Sequence, residues 1–473
     1  MLDFNAPYTL TIGGKALPGS GELDVVNPAT GSNFARCPAA GGKELDAAVA
    51  AARAAFPAWR AMSFEQRARY IARLAEAIQE NVEPLARLLT QEQGKPLQQS
   101  RDEVGRAGTL SVGMTQIQVL PEVLLDDAQR HIELHYVPLG VVGVITPWNA
   151  PINLAVGPMT SALYTGNCIV LKPSPFTPLC TLRIGELMRD IFPVGVVNIL
   201  AGGDELGALM STHPHIDKIS FTGSVATGKK VMASAATTLK RVTLELGGND
   251  AAIVLEDVDP GEVAKKIFFA ATVNSGQVCM AIKRVYAHEK VYDALCTALA
   301  EEARKAKVGN GLEPDTVLGP IQNRRQFERV RGFIDDIRQG PGKILAGAEQ
   351  PSGEGYFVAP VVVAEPGEHS RIVVEEQFGP VLPVMKFSDV GDALRRANDT
   401  RYGLSGSVWG KDLARATAVA AQLEVGTAWV NQHRATLATV PFGGAKESGL
   451  GRTYSILGLR GNMEPRVISI LKG

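Results

Sequence analysis

The sequence predicts an α/β protein with doubly wound, largely parallel sheets. Short apolar and β-branched runs recur from residue 136 onward, and segments long enough to form helices separate them. Strands that are apolar on both faces and alternate with helices are typical of parallel sheets covered on both sides. A chain of 473 residues, at roughly 100–200 residues per domain, should form two or three domains.

Five runs form the first predicted sheet. They span residues 141–145, 168–171, 196–200, 219–221 and 242–244, with helices expected at 177–191 and 204–211. The first third of the chain is predicted to be helical, because Ser63 and Gln66 form a capping box and an apolar stripe at helical spacing follows them. That stripe consists of Tyr70, Ile71, Leu74, Ala75 and Ile78.

A second α/β series is expected from about Asn249 to about residue 430. It opens with the apolar run 251–255, and helices are predicted at 291–306 and 325–338. Residues 119–138 are predicted to form a hairpin arm off the first sheet, and residues 465–471 a terminal strand. Exposed strand edges can pair between copies of a chain, so a homodimer or homotetramer is expected.

Composition argues against several classes of protein. The 48 basic and 49 acidic residues give a formal net charge of -1, without the basic stripe that a nucleic-acid backbone requires. No apolar run reaches the ~20 residues that cross a bilayer, and residues 1–19 lack the features of a secretory signal. Scattered histidines and the absence of a C-x-x-C pair argue against a metal site or a disulfide framework. A cytoplasmic protein with no nucleic-acid, membrane or metal partner is expected.

Cys279 is the candidate nucleophile among the five cysteines. It lies in a small, polar turn, residues 274–279, which is expected to be flexible and follows an apolar helix predicted at 264–273. Exposed backbone N–H groups in such a turn can lower a thiol pKa and bind an oxyanion. Cys168 and Cys296 instead have bulky apolar neighbours, as structural cysteines do. A structural role for Cys279 stays open on this pattern alone.

Two polar residues are placed where they could assist a nucleophile. Glu245 ends an apolar strand and precedes two glycines, and burial there would raise its pKa toward the range of a general base. A salt-bridged structural carboxylate is an equally good interpretation. Asn149 follows the first strand and could donate its amide to a developing alkoxide, or simply form a turn.

Three segments could hold a phosphate-bearing ligand. Residues 221–228 read as a strand, a glycine turn and a helix start, which favours phosphate, although an ordinary capped helix fits too. Lys172 leaves the second strand and could reach a ribose or a phosphate. Glu376 and Phe378 share a loop that could hold a second ribose and pack on a ring.

These segments together resemble the aldehyde dehydrogenase superfamily, in its hydrolytic, non-acylating form. The resemblance covers nearly the whole chain in collinear order: TPWN at 146–149, LKPS at 171–174, FTGS at 221–224, ELGG at 245–248, NSGQVC at 274–279, EEQFGP at 375–380 and PFGGAKESGLGR at 441–452. It implies a Rossmann-type cofactor domain (1–118 and 139–247), an α/β catalytic domain (248–452) and an oligomerisation element (119–138 and 453–473). A non-catalytic relative could have lost Cys279, Glu245 or Asn149, and all three are present.

The resemblance also implies a role for each matching residue. Cys279 would attack an aldehyde, and the Asn149 side chain with the Cys279 backbone N–H would hold the thiohemiacetal oxygen. After hydride transfer to a nicotinamide, Glu245 would activate water to hydrolyse the thioester, in contrast to the branch that transfers the acyl group to coenzyme A. The implied cofactor contacts are Ile145, Thr146, Pro147, Trp148, Lys172, Ser174, Pro175, Gly203, Gly207, Phe221, Thr222, Gly223, Ser224, Leu246, Gly247, Glu376 and Phe378.

This chain departs from the family pattern at the cofactor and at the substrate. Pro175 stands where many NAD-preferring members have a ribose-binding glutamate, so NAD use with measurable NADP activity is expected. Small residues at Ala150, Gly157 and Thr436 favour a bulky aromatic or medium-chain aldehyde. The expected pocket residues are Ala150, Asn153, Leu154, Gly157, Val278, Met280, Thr436 and Phe442.

The alternative substrate is a small carboxylated semialdehyde. Residues 150–160 contain no arginine of the kind that anchors such a carboxylate in some relatives. Arg434 is a possible substitute, but the sequence favours a surface arginine at that position. Thr453, where a glutamate is common, is interpreted as structural variation near the subunit interface.

Overall fold

The computed structural model describes residues 3–472, which form α/β layers around two large sheets. The strands are β1 (Leu10–Ile12), β2 (Lys15–Leu17), β3 (Gly21–Asn27), β4 (Ser32–Ala39), β5 (Glu122–Asp126), β6 (Arg130–Pro138), β7 (Val141–Ile145), β8 (Cys168–Lys172), β9 (Val197–Ile199), β10 (Lys218–Thr222), β11 (Arg241–Glu245), β12 (Asp250–Val254), β13 (Ile282–His288), β14 (Lys343–Ala346), β15 (Val361–Ala364), β16 (Val381–Phe387), β17 (Tyr402–Gly403), β18 (Ser405–Trp409), β19 (Thr427–Val430), β20 (Ala445–Lys446), β21 (Gly449–Leu450) and β22 (Met463–Leu471).

Helices connect most of these strands. They are α1 (Gly42–Ala61), α2 (Phe64–Glu80), α3 (Val82–Gln93), α4 (Leu97–Met114), α5 (Pro151–Tyr164), α6 (Leu179–Ile191), α7 (Asp204–Thr212), α8 (Val225–Ala236), α9 (Pro260–Thr272), α10 (Glu289–Lys305), α11 (Arg324–Gln339), α12 (Arg371–Val374), α13 (Val390–Asn398), α14 (Leu413–Ala420) and α15 (Ser455–Arg460). The predicted capping box begins α2: the Ser63 hydroxyl accepts from the Gln66 N–H, and the Gln66 side chain accepts from the Ser63 N–H.

The first sheet has eight strands in the order β2-β1-β9-β8-β7-β10-β11-β21. Its five central strands are parallel, as predicted, and both edges are antiparallel. The expectation of a wholly helical first third is wrong, because β1 to β4 precede α1. The strands β1 and β2 are only three residues long, which is too short for an alternating pattern to stand out in the sequence.

The second sheet has seven strands in the order β14-β15-β16-β13-β12-β18-β19. All neighbouring pairs are parallel except β14 with β15, and separate apolar cores cover its two faces. The two sheets follow each other directly, since β11 ends at Glu245 and β12 begins at Asp250. The chain then returns: β21 pairs with β11, so Gly449 lies opposite Glu245.

A third sheet joins the predicted hairpin to the predicted terminal strand. β22 pairs antiparallel with β6 over nine residues, and β5 lies on the other side of β6. The hairpin therefore shares this small sheet with β22 and has no strand in the first sheet. Apolar side chains remain exposed on the two outer strands, among them Val123, Leu124, Val467, Ile470 and Leu471.

Candidate active site

The parallel register of the first sheet gathers the predicted polar residues at one edge. Ile145 lies beside Lys172 on one side and Phe221 on the other, and Thr222 lies beside Glu245. Ligands of such sheets bind outside the carboxyl ends of the strands. The other predicted cofactor residues follow at the same edge: Thr146, Pro147 and Trp148 after β7, Ser174 and Pro175 after β8, Gly203 and Gly207 at the start of α7, Gly223 and Ser224 before α8, and Leu246 and Gly247 after β11.

The segment before Cys279 is a tight, buried turn. Asn274, Ser275 and Gly276 all have left-handed backbone conformations, with φ of 53°, 54° and 75°. The Ser275 hydroxyl donates to the Gly319 carbonyl at 2.7 Å, and the Gln277 amide donates to the Asn274 carbonyl at 2.9 Å. The expectation of a flexible turn is wrong, because buried hydrogen bonds fix its backbone.

The Cys279 side chain is partly exposed, whereas the other four cysteines are buried. Lys283 donates to the Cys279 carbonyl at 2.6 Å and to the Val278 carbonyl at 2.9 Å. Burial of the thiol raises the pKa of Cys279 to about 12, and the nearby Lys283 opposes this. The resting thiol is therefore neutral near pH 7 and must lose its proton to become a nucleophile.

Asn149 lies directly against this turn. Its side-chain amide donates to the Gln277 carbonyl at 2.8 Å, and its own carbonyl accepts from the Asn274 amide at 2.8 Å. The backbone N–H of Cys279 donates to no acceptor within residues 3–472. An amide donor and a free backbone donor thus flank the thiol, which is the arrangement that an oxyanion requires.

Glu245 is the most unusual carboxylate of the site. The residue is 9% exposed, and neither of its carboxylate oxygens has a hydrogen-bond partner within residues 3–472. The alternative of a salt-bridged structural carboxylate is therefore wrong. Burial raises the pKa of Glu245 to about 8, with Arg452 opposing, and a charge on Glu245 raises the pKa of Cys279 in turn.

The candidate cofactor groups have few competing partners. Lys172 is buried, and among the described residues its ammonium donates only to the Pro173 carbonyl, at 3.3 Å. Burial lowers the pKa of Lys172 to about 8, with Asp204 opposing. The Thr146 hydroxyl is buried without a partner in the described chain.

Ser224 caps α8 by accepting from the Thr227 N–H at 3.2 Å. The rings of Trp148 and Phe378 meet edge to face, with centroids 5.3 Å apart.

Glu376, which the sequence assigned to a ribose, contacts Gly248 and Lys283 in the structure. Its carboxylate accepts from the Gly248 N–H at 3.1 Å and lies 3.5 Å from the Lys283 ammonium. Burial raises the pKa of Glu376, and Lys283 opposes. A Cβ atom on Gly247 would lie 2.2 Å from the Glu376 carboxylate, so the glycine permits this approach. Lys283 therefore links Glu376 to the Cys279 turn.

The predicted substrate residues lie on three segments around Cys279. Ala150 caps α5, which carries Asn153, Leu154 and Gly157; Val278 and Met280 flank Cys279; Thr436 and Phe442 lie between β19 and β20. Much of the room expected at Gly157 is taken by a tyrosine, since a Cβ atom there would lie 3.6 Å from the Tyr454 hydroxyl. The substrate pocket beside Gly157 is thus narrower than the sequence indicated.

Tyr454 and Arg434 were not predicted as site residues. Burial raises the pKa of Tyr454 to about 12, with Arg106 opposing and the charges of Glu245 and Cys279 adding, so this tyrosine shares their site. The surface interpretation of Arg434 is wrong, because its Nε atom is buried and has no partner in the described chain. No local motif marks either residue, since both occupy loop positions with positive φ (58° and 68°) that only the fold reveals.

Comparison with known proteins decides the family. The family model for aldehyde dehydrogenases matches residues 17–468. The chain belongs to the aldehyde dehydrogenase family. A putative aldehyde dehydrogenase of Gibberella fujikuroi, FUS7, is 38% identical, with 92% of each chain covered. A phenylacetaldehyde dehydrogenase of Pseudomonas fluorescens is 37% identical, with 95% of this chain and 93% of that protein covered.

Solved structures share the whole fold of this aldehyde dehydrogenase. An NAD+ complex of the Bacillus cereus enzyme superposes with a TM-score of 0.94 at 36% identity, covering 99% of this chain and 97% of that one. An NADP-dependent enzyme of E. coli superposes with a TM-score of 0.96 at 31% identity, covering 98% of both chains. Within residues 3–472, no helix has the length and apolar character needed to cross a membrane.

Proposed function

We propose that this aldehyde dehydrogenase oxidises an aldehyde to its carboxylic acid, with a nicotinamide cofactor and water, through an acyl thioester on Cys279. The observation that carries the proposal is Glu245, whose buried carboxylate has no hydrogen-bond partner within residues 3–472 and shares the site of Cys279. A thioester that is hydrolysed needs both a soft nucleophile and a base for water. Both groups are present in one buried site.

The residues perform the reaction in two stages. The Cys279 thiol gives its proton to water as its sulfur bonds to the aldehyde carbon, and the carbonyl oxygen gains negative charge. The Asn149 amide and the Cys279 backbone N–H donate to that oxygen. Once the acyl group is on Cys279, the Glu245 carboxylate takes a proton from water. The resulting hydroxide attacks the acyl carbon, the carbon–sulfur bond breaks, and Cys279 leaves as the thiolate.

The nicotinamide cofactor, when bound, accepts the two electrons that the aldehyde carbon loses. Lys172, the N-terminus of α8 at Ser224, and the rings of Trp148 and Phe378 are proposed to hold it. The buried, almost unpartnered Lys172 and the orphaned Thr146 hydroxyl suit a ligand rich in hydroxyl and phosphate oxygens. Pro175 supports the use of NAD together with measurable NADP activity, and solved relatives of both cofactor types share the fold.

The proposed substrate is a bulky aldehyde, aromatic or medium-chain. Ala150, Gly157 and Thr436 support this choice, and so does the similarity to a phenylacetaldehyde dehydrogenase. Tyr454 narrows the space at Gly157 but presents an aromatic ring. The alternative, a carboxylated semialdehyde, is favoured by the partly buried Arg434, whose Nε atom has no partner within residues 3–472.

The chain is proposed to have a cofactor domain (1–118 and 139–247), a catalytic domain (248–452) and an oligomerisation element (119–138 and 453–473). The exposed apolar side chains of β5 and β22 support pairing into a homodimer or homotetramer. Light scattering that gives the mass of a single chain would contradict this assembly. A cytoplasmic location stays a prediction from the sequence.

Cofactor reduction with an aldehyde panel tests the proposed function. The protein should reduce NAD with benzaldehyde or octanal at a higher kcat/KM than with acetaldehyde, and C279A should abolish turnover. C296A is the matched control, because Cys296 lies in the core of the second sheet and should leave activity unchanged. In E245Q, mass spectrometry should detect an acyl group on the Cys279 peptide. A C279A enzyme that still turns over would contradict the mechanism.

A further inference from the structure

Arg434 is a partly buried cation. Within residues 3–472 its guanidinium has no carboxylate within ion-pair distance, and its Nε atom is buried without a hydrogen-bond partner. Removing part of a charged group from water in this way is unfavourable unless a polar or anionic group compensates for it. The residue also has a left-handed backbone, with φ of 68°, a conformation that is rarely adopted by a side chain of this size. A strained, unpaired arginine at an active site points to a ligand.

Neighbouring contacts fix Arg434 beside the nucleophile. His433 is held between the Ser407 hydroxyl, at 2.9 Å, and the carbonyl of Met280, at 3.1 Å. On the other side, the Ala435 carbonyl accepts from the indole of Trp429 at 3.1 Å. Because Met280 directly follows Cys279, these bonds hold the backbone of Arg434 next to the catalytic turn.

The Arg434 guanidinium lies between that turn and an aromatic residue near the surface. Its central carbon is 5.9 Å from the ring centroid of Phe269, which is 60% exposed. Burial, together with the nearby Arg106, lowers the pKa of Arg434 to about 10, and a thiolate at Cys279 opposes this. Arg434 therefore stays protonated at neutral pH and lies within electrostatic reach of the reacting sulfur.

A second arginine, Arg106, lies near Arg434. Arg106, on α4, donates to the backbone carbonyl of Thr436 at 2.9 Å and to the Thr436 hydroxyl. Arg106 is exposed to solvent, and it has no carboxylate within ion-pair distance among the described residues. Repulsion by its like charge lowers the pKa of Arg434, although burial is the larger cause of that shift. An anion between or beside them would remove that repulsion.

We propose that Arg434 and Arg106 bind a carboxylate carried by the substrate, so that the preferred aldehyde is a bulky anionic one. This inference rests on the proposed function and names its substrate class. A guanidinium presents a planar fork of N–H donors that fits a carboxylate with two parallel hydrogen bonds. The small residues Ala150 and Thr436 leave width for an aromatic or unsaturated frame between the aldehyde and the carboxylate. A neutral aldehyde would leave the partly buried Arg434 without an anion.

Matched pairs of aldehydes test the proposal. 4-Carboxybenzaldehyde and 4-methylbenzaldehyde have similar shape and differ in charge, and succinic semialdehyde and butanal form a smaller pair. The wild-type enzyme should have a kcat/KM at least tenfold higher for 4-carboxybenzaldehyde than for its neutral partner. R434M should lower kcat/KM about 100-fold for the carboxylated aldehyde, the loss of a charge-assisted hydrogen-bonded pair, and less than about threefold for the neutral one.

Two controls separate substrate binding from a loss of structure. R331M removes an arginine of α11 whose guanidinium lies over the Phe327 ring of the same helix, and it should leave all four substrates unaffected. R434K keeps the charge without the planar fork and should recover part of the preference. If R434M does not fold, R106M is measured on the same pairs and should show the same selective loss.

A binding measurement tests the proposed carboxylate site independently of turnover. Calorimetry on the cofactor-free protein should show 4-methylbenzoate binding at least tenfold more tightly than the neutral 4-methylbenzamide, with the difference lost in R434M. Equal kcat/KM values for charged and neutral aldehydes, together with equal binding, would overturn the carboxylate site and leave the dehydrogenase function standing. If no aldehyde in either pair supports cofactor reduction, the proposed function itself fails.

Discussion

The ammonium group of Lys95 donates a hydrogen bond to the backbone carbonyl of Asn149 at 2.9 Å. Lys95 is buried and forms an ion pair with Glu103, whose other oxygen accepts from the Ile152 N–H at 3.0 Å. The Lys95–Glu103 pair therefore forms hydrogen bonds to the backbone on both sides of the start of α5, at Asn149 and at Ile152. Since the Asn149 amide is the proposed donor to the oxyanion, Lys95 is a positioning residue for that amide.

We predict that K95M costs both stability and turnover. Removing one member of a buried ion pair leaves its partner uncompensated, which typically costs about 3–5 kcal/mol. With Asn149 released, kcat should fall about tenfold or more while KM changes little, because the lost interaction acts on the charge that develops during reaction. Denaturant unfolding and steady-state kinetics measure the two effects.

The matched control for that variant is K265M. Lys265 pairs with Glu262 on α9 at 2.8 Å, but both side chains are exposed. Exposed pairs contribute about 0–1 kcal/mol, so K265M should leave stability and kcat nearly unchanged. Equal effects of the two substitutions, or a change in KM alone for K95M, would contradict the positioning role.

The raised pKa of Glu245 predicts a pH-dependent activity. Deacylation needs the carboxylate form, so kcat should rise with pH along an apparent pKa near 8 and level off above it. E245Q should lose this dependence and turn over about 100- to 10,000-fold more slowly, the usual range for a missing general base. A first-turnover burst of reduced cofactor should survive in E245Q, because the acylation step keeps Cys279 and Asn149.

The same shift predicts how stability depends on pH. The folded protein holds the Glu245 proton up to about pH 8, whereas the ordinary value for glutamate is 4.5. Between these two values the folded state binds more protons than the unfolded state, so the contribution of Glu245 to stability falls as pH rises. The Tm of the wild type, compared with that of E245Q, should fall from about pH 5 to pH 8 and should not change further above pH 8. A constant Tm difference across that range would show that burial does not shift this carboxyl.

Sequence reasoning found the fold class because it depends on local signals: apolar runs alternating with helices predicted the parallel strands β7 to β11. The roles of Asn149, Glu245 and Cys279 stay predictions, because the local pattern at each residue left a structural role open and the family resemblance supplied the chemical one. The short strands β1 and β2 were missed, since three residues carry too little pattern. Tyr454 was missed for another reason. It packs against α4 and lies beside Gly157 of α5, and both helices are distant from it in sequence. Arg434 was named only as a substitute carboxylate anchor, with a surface position favoured.

Pro175 should be the position that permits NADP. It follows β8 two residues after Pro173, whose carbonyl accepts from Lys172, so an acidic side chain there would lie close to the proposed ribose site. In P175E, a carboxylate beside a 2′-phosphate would be repelled, and like charges placed together at an interface cost several kcal/mol. The ratio of kcat/KM for NADP to that for NAD should fall at least tenfold. P175Q, which adds length without charge, should leave the ratio within about threefold, and an equal fall in both variants would show that charge is not the cause.

Gly276 should tolerate no side chain. Its φ is 75°, and a Cβ atom there would lie 2.3 Å from the carbonyl oxygen of Gly379. The colliding atom is backbone, so the Cys279 turn or the Gly379 loop would have to move. G276A should therefore lower stability by about 1–3 kcal/mol, the usual cost of a strained backbone residue. It should also lower kcat at least tenfold by shifting the thiol from the Asn149 amide.

Gly332 provides the matched control for G276A. It lies inside α11, and a Cβ atom there would meet nothing within 4 Å. In an open helix position, alanine is favoured over glycine by about 1 kcal/mol, so G332A should raise the stability and leave kcat unchanged. Thermal unfolding and steady-state kinetics on both variants give opposite signs if backbone geometry at the nucleophile turn is what matters. A G276A protein as stable and active as the wild type would mean that this turn can relax, and that the close approach of Gly379 does not hold Cys279 in place.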